Sequence, residues 1–168
     1  QASTFLQAAV TSGLNVLVAG GTQAGKTTFL NCLASAIPGR ERVVTCEEVF
    51  ELKLPLRDVA AMQCRQPSLE GTGEVPLRRL VKEALRMRPD RIILGELRGV
   101  EAVTFLEAIN TGHEGSFTTL HATTARKAVN RLAFLVMRAG MPLTLTEIRD
   151  YVRESIRSEE RRVGKECR

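Results

Sequence analysis

Tryptophan is absent and aromatic residues make up only 4% of this 168-residue chain, so a surface that grips nucleic acid by stacking bases on rings has little to be built from. The four cysteines, Cys32, Cys46, Cys64 and Cys167, stand far apart with no C-x-x-C and no Cys/His cluster, which points to reduced thiols and away from a metal site. No run approaches the roughly 18 apolar residues of a membrane-spanning helix, and no charged segment followed by a long apolar one opens the chain. The expectation is a cytoplasmic chain, or a piece of one. A net charge of +5 implies a mildly basic surface, open to an acidic membrane face, a nucleic acid or a partner protein. One domain with a real core is the default at this length.

What is present is centred on Gly20-Gly21-Thr22-Gln23-Ala24-Gly25-Lys26-Thr27, followed by Thr28. This fits the phosphate-binding loop G-x-x-x-x-G-K-[ST]. In that motif backbone N–H groups curl round a triphosphate, the lysine reaches the β and γ phosphates and the hydroxyl ligates Mg²⁺. ATP and Mg²⁺ are therefore the expected cofactors. Leu14 to Ala19 before the loop reads as a buried strand, and Thr27 to Ile37 after it as a helix closed by Pro38-Gly39. A helix start there aims unpaired N–H groups at the phosphates.

Further along, Ala2 to Thr11 predicts a helix, and the chain is expected to open mid-protein, since nothing ahead of it supplies a base pocket. Arg42 to Cys46 predicts a strand running into Glu47-Glu48. Two carboxylates there suit a metal or a polarised water, or else a solvated turn. Val59 to Gln66 reads as a short strand and Pro67 to Glu74 as a flexible loop. Pro76 to Met87 predicts a helix whose outer face carries Arg78, Arg79, Lys82, Arg86 and Arg88, either solvated or facing a neighbouring subunit's nucleotide. Arg91 to Glu96 is a continuous apolar run, as for a strand buried on both faces, and ends in a carboxylate where phosphate-loop enzymes need one for the metal or the attacking water. Val100 to Asn110 predicts a helix and Gly115 to Leu120 a strand ending at His121. Thr123 or Thr124 caps a helix that stops at Gly140, and Thr144 with Glu147 has capping-box spacing for a last helix through Ser155.

Strands alternating with helices predict an α/β fold, a mostly parallel sheet flanked by helices. Ligands bind at the carboxyl ends of strands in such sheets. The phosphate loop, Glu47-Glu48, Glu96 and His121 each follow a strand, so the chemistry should converge on one sheet edge. Helical connections predict right-handed crossovers, except for the Glu48-to-Arg57 link, whose order is open.

The last residues, 157–168, resemble the translation of a common sequencing-library adapter. They are expected to be a non-native tail; without their five basic and three acidic residues the net charge falls from +5 to +3.

Four boxes in order make residues 1–156 resemble the type II/type IV secretion ATPase superfamily, and within it the CpaF-like ATPases of Tad/Flp pilus systems. They are the phosphate loop, Thr45 to Leu52, Arg88 to Gly99, and Gly112 to Gly115 with Thr119 to Ala122. The resemblance implies a RecA-like P-loop NTPase fold and a homohexamer that hydrolyses ATP between subunits. It also implies a cytoplasmic place at the inner face of the cell membrane, against an inner-membrane platform protein, with nucleic acid not expected as a partner.

Carried over by box, Lys26 neutralises phosphate charge and Thr27 ligates Mg²⁺. Glu96 works at the metal, directly or through water, and at the attacking water; Glu47 helps polarise that water, and His121 senses the γ-phosphate. Arg65 and Arg98 match family arginines without a fixed role. Two departures stand out: Gln23-Ala24 where the family usually has Gly-Ser, and Glu48 where it usually has Asp. The family's amino-terminal domain is expected to lie outside this sequence and the carboxy-terminal helices to be cut short, so this chain should bind phosphates yet hydrolyse ATP poorly alone. The competing readings are a P-loop kinase, a RecA-like nucleic-acid translocase, and a nucleotide-gated module without turnover.

Overall fold

The structure is a computed structural model and describes residues 2–156; the expected non-native tail and Cys167 lie outside the described residues. Five strands form one sheet: β1 (Val16–Gly20), β2 (Val43–Glu47), β3 (Val59–Gln63), β4 (Arg91–Leu94) and β5 (Phe117–His121). Their order is β1-β5-β4-β2-β3, and every pairing is parallel. Six α-helices accompany them: α1 (Ala2–Thr11), α2 (Lys26–Ala34), α3 (Leu77–Ala84), α4 (Glu101–Asn110), α5 (Ala125–Arg138) and α6 (Leu145–Ser155). The helix expected from Pro76 to Met87 starts one residue later, on Pro76 as cap, and tightens into a 3₁₀ turn over Leu85–Met87. Thr144 and Glu147 form the expected capping box, and Thr124 caps α5 by accepting from the Lys127 N–H.

Side chains alternate across the strands, and here both faces are apolar. Leu17, Val44, Cys46, Ile92, Leu94 and Leu120 pack under α3, α4, α5 and α6. Val18, Val43, Ile93 and Phe117 pack with Val10 of α1 and with Leu30 and Leu33 of α2. Ile92, Ile93 and Phe117 have no exposed surface; burying each contributes about 1.5–3 kcal/mol. That two-sided burial is why β2 and β4 read as unbroken apolar runs.

The register sets the strand ends level. Gly20 pairs with His121, Leu94 lies beside both Thr118 and Cys46, and Glu47 pairs with Gln63. The phosphate loop, Glu47, Glu96 and His121 therefore leave the sheet at the same edge.

The β2–β3 link, residues 48–58, joins adjacent parallel strands without a helix. Such a connection usually needs a helical crossover. Here an extended strap replaces it: Leu52, Leu54 and Leu56 turn inward onto the core shared with α2, while Glu51, Lys53 and Pro55 are exposed.

Candidate nucleotide site

Gly20 ends β1 and Gly25 caps α2 with φ +79, in the left-handed region that favours glycine. No side chain of the N-cap residue caps α2, and uncapped N–H groups at a helix start are what an anion site uses. A Cβ at Gly20 would meet the Ala24 Cβ and the Lys26 Cγ at 3.2 Å, a tight contact that glycine avoids. Gln23 adopts φ +59, a left-handed conformation held by a residue with a Cβ. Gly21, Thr22, Gln23, Ala24, Gly25 and Thr28 are exposed, whereas Lys26 and Thr27 are half-buried.

Lys26 bends over the loop and donates to the Gly21 carbonyl at 2.9 Å, with its Nζ 3.4 Å from His121 Nδ1. On the other side of the ring, His121 Nε2 stands 2.8 Å from Glu96 Oε1. That oxygen is buried and has no aligned hydrogen-bond donor among the described residues. Glu96 Oε2 accepts from Arg98 Nη2 at 2.8 Å, and Arg98 Nη1 reaches Glu48 Oε2 at 2.7 Å. The bond to Glu96 holds the Arg98 proton more firmly than usual, against a smaller opposing effect of partial burial. Lys26, His121, Glu96, Arg98 and Glu48 thus make one continuous polar row.

Backbone contacts fix Glu96 from both sides. Gly95 donates its N–H to the Cys46 carbonyl at 3.0 Å and Leu97 donates to the Thr119 carbonyl at 2.9 Å. Thr119 Oγ1 closes the turn on the Gly95 carbonyl at 2.7 Å.

Glu47 is only 2% exposed. Its Oε1 accepts from the N–H groups of Glu51 and Leu52, both at 2.9 Å, while its Oε2 is buried without a partner among the described residues. Of the acidic-box residues it is Glu51 that touches the phosphate loop: Thr27 Oγ1 donates to Glu51 Oε2 at 3.0 Å. Sequence reasoning missed Glu51. The signal for it was the Leu52, Leu54, Leu56 alternation, which marks the segment as extended and returns Glu51 towards α2. Glu101 was missed too; its carboxylate accepts from the N–H groups of Arg98 and Gly99 at 2.6 and 2.7 Å and shapes the turn after Glu96.

Arg65 is outside this cluster. It donates from Nε to the Gly73 carbonyl at 2.6 Å and pairs its backbone with Val75, so it closes the base of the exposed 66–74 loop.

Chemically, the edge offers N–H groups and Lys26 to an anion, and beside them a threonine hydroxyl and carboxylates to a hard cation. No cluster of three or more His, Cys, Asp or Glu able to hold a metal exists among the described residues. That donor set suits Mg²⁺, which keeps waters and is completed by phosphate oxygens rather than by a protein cage.

Residues 1–156 match the family described as "Type II/IV secretion system protein". The chain is 45% identical over 132 residues to a putative conjugal transfer protein of Mycobacterium tuberculosis, covering 79% of this chain and 38% of that one. It is also 45% identical over 135 residues to the type IV secretion system protein PtlH of Bordetella pertussis, covering 80% and 40%. Among solved structures, the VirB11 ATPase of the Brucella suis type IV secretion system, in complex with sulphate, superposes with a TM-score of 0.82 at 34% identity, over 91% of this chain and 44% of that one. The chain thus spans about two fifths of the length of the curated relatives it matches.

Proposed function

Since the chain belongs to the type II/IV secretion system protein family, we propose that it is the ATP-hydrolysing domain of a secretion motor. In this reading residues 1–156 form the RecA-like ATPase domain and 157–168 a non-native tail. The observation that carries the proposal is the row Lys26, His121, Glu96, with gaps of 3.4 and 2.8 Å, at the strand ends beside the phosphate loop.

The residues fit Mg·ATP. The buried Glu96 Oε1, 2.8 Å from His121 Nε2, has no aligned hydrogen-bond donor among the described residues, which suits it to accept from a metal-bound water. Bound Mg²⁺ offsets charge on the β and γ phosphate oxygens. Gly20 to Gly25 and the start of α2, including Thr28, cradle the phosphates, and Lys26 exchanges its Gly21 carbonyl for them. Thr27 and Glu96 would hold the metal, directly or through water, with Glu51 on the Thr27 hydroxyl. Glu96 orients the attacking water, Glu47 supports its polarisation through the segment it holds, and His121, between Lys26 and Glu96, reports the γ-phosphate.

The relatives' names favour type IV secretion; the narrower assignment to a CpaF-like Tad/Flp pilus motor rests on the sequence resemblance. The same family reading implies a hexamer of the longer protein, docked on an inner-membrane platform at the cytoplasmic face. No helix among the described residues is long and apolar enough to cross a membrane.

The test is Glu96→Gln in a full-length version, measuring ATP binding and phosphate release. Binding at the parent's level with turnover lowered about 10²-fold or more is expected. Turnover near the parent's would remove Glu96 from the mechanism.

A further inference from the structure

The strap between β2 and β3 carries Glu51 to the phosphate loop, yet along this stretch it has neither helix nor sheet to hold it. Backbone N–H groups must find acceptors when water is displaced. Three consecutive ones, from Glu51, Leu52 and Lys53, are taken by two side chains alone. Glu47 Oε1 accepts the first two, and Asn31 Oδ1 accepts the third at 2.9 Å. Asn31 Nδ2 also lies 3.5 Å from the Glu51 carbonyl, so this one amide faces the strap on both sides of Leu52.

Asn31 sits on α2 four residues after Thr27, and residues at that spacing share a helix face. The face that presents the Thr27 hydroxyl to Glu51 is thus the face that grips the strap one turn later. We propose that Asn31 is a positioning residue: it pins the strap to α2 and so keeps the Glu51 carboxylate on the Thr27 hydroxyl, ready for a divalent cation arriving with the nucleotide. The inference rests on the ATPase reading for its consequence, but the grip itself does not.

Asn31→Ala and Asn31→Asp in the 168-residue chain separate the two. Aspartate keeps the oxygen that accepts from Lys53; alanine removes it. Amide hydrogen exchange followed by NMR should show the Lys53 N–H exchanging at least about tenfold faster in Asn31→Ala and near the parent's rate in Asn31→Asp, with the Leu30 and Leu33 amides unchanged in both. In parallel, binding of a fluorescent ATP analogue is measured with and without Mg²⁺. Asn31→Ala should keep the metal-free affinity and lose roughly threefold or more of the gain that Mg²⁺ gives the parent.

Unchanged exchange at Lys53 in Asn31→Ala would overturn the grip. Faster exchange with an undiminished Mg²⁺ gain would overturn the positioning role and leave Asn31 as a structural bond. A parent chain with no nucleotide affinity in either condition would instead sink the ATPase reading and the cation's part in this inference, while the exchange rates still decide whether Asn31 holds the strap.

Discussion

Glu48 and Arg98, fifty residues apart in sequence, meet through a 2.7 Å ion pair that ties the turn after β2 to the turn after β4. The other arm of the same guanidinium holds Glu96 at 2.8 Å. A planar fork shared between two carboxylates fixes the direction of both, and here it leaves Glu96 Oε1 as the oxygen turned to His121. Glu48 makes its contact with Arg98 through a side chain one methylene longer than aspartate's.

Glu48→Asp should therefore break the bridge while preserving the charge. Both partners are about half exposed, 57% and 45%, so folding should change by less than about 1 kcal/mol. Losing an orienting contact of about 0.5–1 kcal/mol corresponds to a roughly two- to fivefold fall in turnover. Phosphate-release kinetics beside a thermal melt would check this. A clear drop in melting temperature with turnover intact would make the pair a structural one.

Gln23→Gly tests strain in the phosphate loop. A left-handed conformation costs a residue with a Cβ about 1–2 kcal/mol, and Gln23 holds φ +59. Glycine removes that cost but adds about 0.4–1 kcal/mol of unfolded-state entropy. The net expectation is a gain between about 0 and 1.6 kcal/mol, read by calorimetry as a melting temperature higher by up to roughly 3–6 °C. A lower melting temperature would mean that the Gln23 side chain makes contacts worth more than the strain.

Much of this was legible in the sequence because it is local. The phosphate loop, its strand and its helix lie in one short stretch, and each strand end announces itself by a polar residue after an apolar run. Convergence of Lys26, Glu96 and His121 then follows from parallel strands. Strand order is not local, and nothing in the runs themselves says that β5 slots between β1 and β4. Glu51 was hidden because an extended strap has no helical period and a carboxylate in a loop looks solvated. Arg91 was hidden for the opposite reason: it opens an apolar strand, and only the fold reveals that its charge is taken inside.

Arg91 is 3% exposed. Its guanidinium pairs with the Glu41 carboxylate through Nε and Nη2 and donates from Nη1 to the Val10 carbonyl at 2.7 Å. Arg91→Met would leave a partly buried carboxylate and the last turn of α1 without their donor. Breaking a buried pair from one side costs about 3–5 kcal/mol, a large share of a domain's stability. Urea unfolding should show the midpoint fall accordingly, with Glu41→Gln also costly because it leaves the buried guanidinium without its counter-charge. A loss under about 1 kcal/mol for Arg91→Met would show that water reaches the pair.

Cys46 supplies a dependence on pH. Burial, with smaller contributions from Cys64 and Glu47, pushes its thiol from an ordinary 9.0 up to about 12. A group whose pKa is raised by folding favours the fold fully below its unfolded value, and that contribution disappears as pH climbs through the folded one. Stability owed to the neutral thiol should therefore fall between pH 9.0 and about 12. Cys46→Ala cannot titrate, so the parent's stability relative to this variant should decline across that interval, measured by urea unfolding at successive pH values. The exposed Cys32 offers the internal contrast: at about pH 8 iodoacetamide should modify it well before Cys46, because only the thiolate reacts. Equal rates would mean that β2 opens to solvent far more readily than its burial on both faces of the sheet allows.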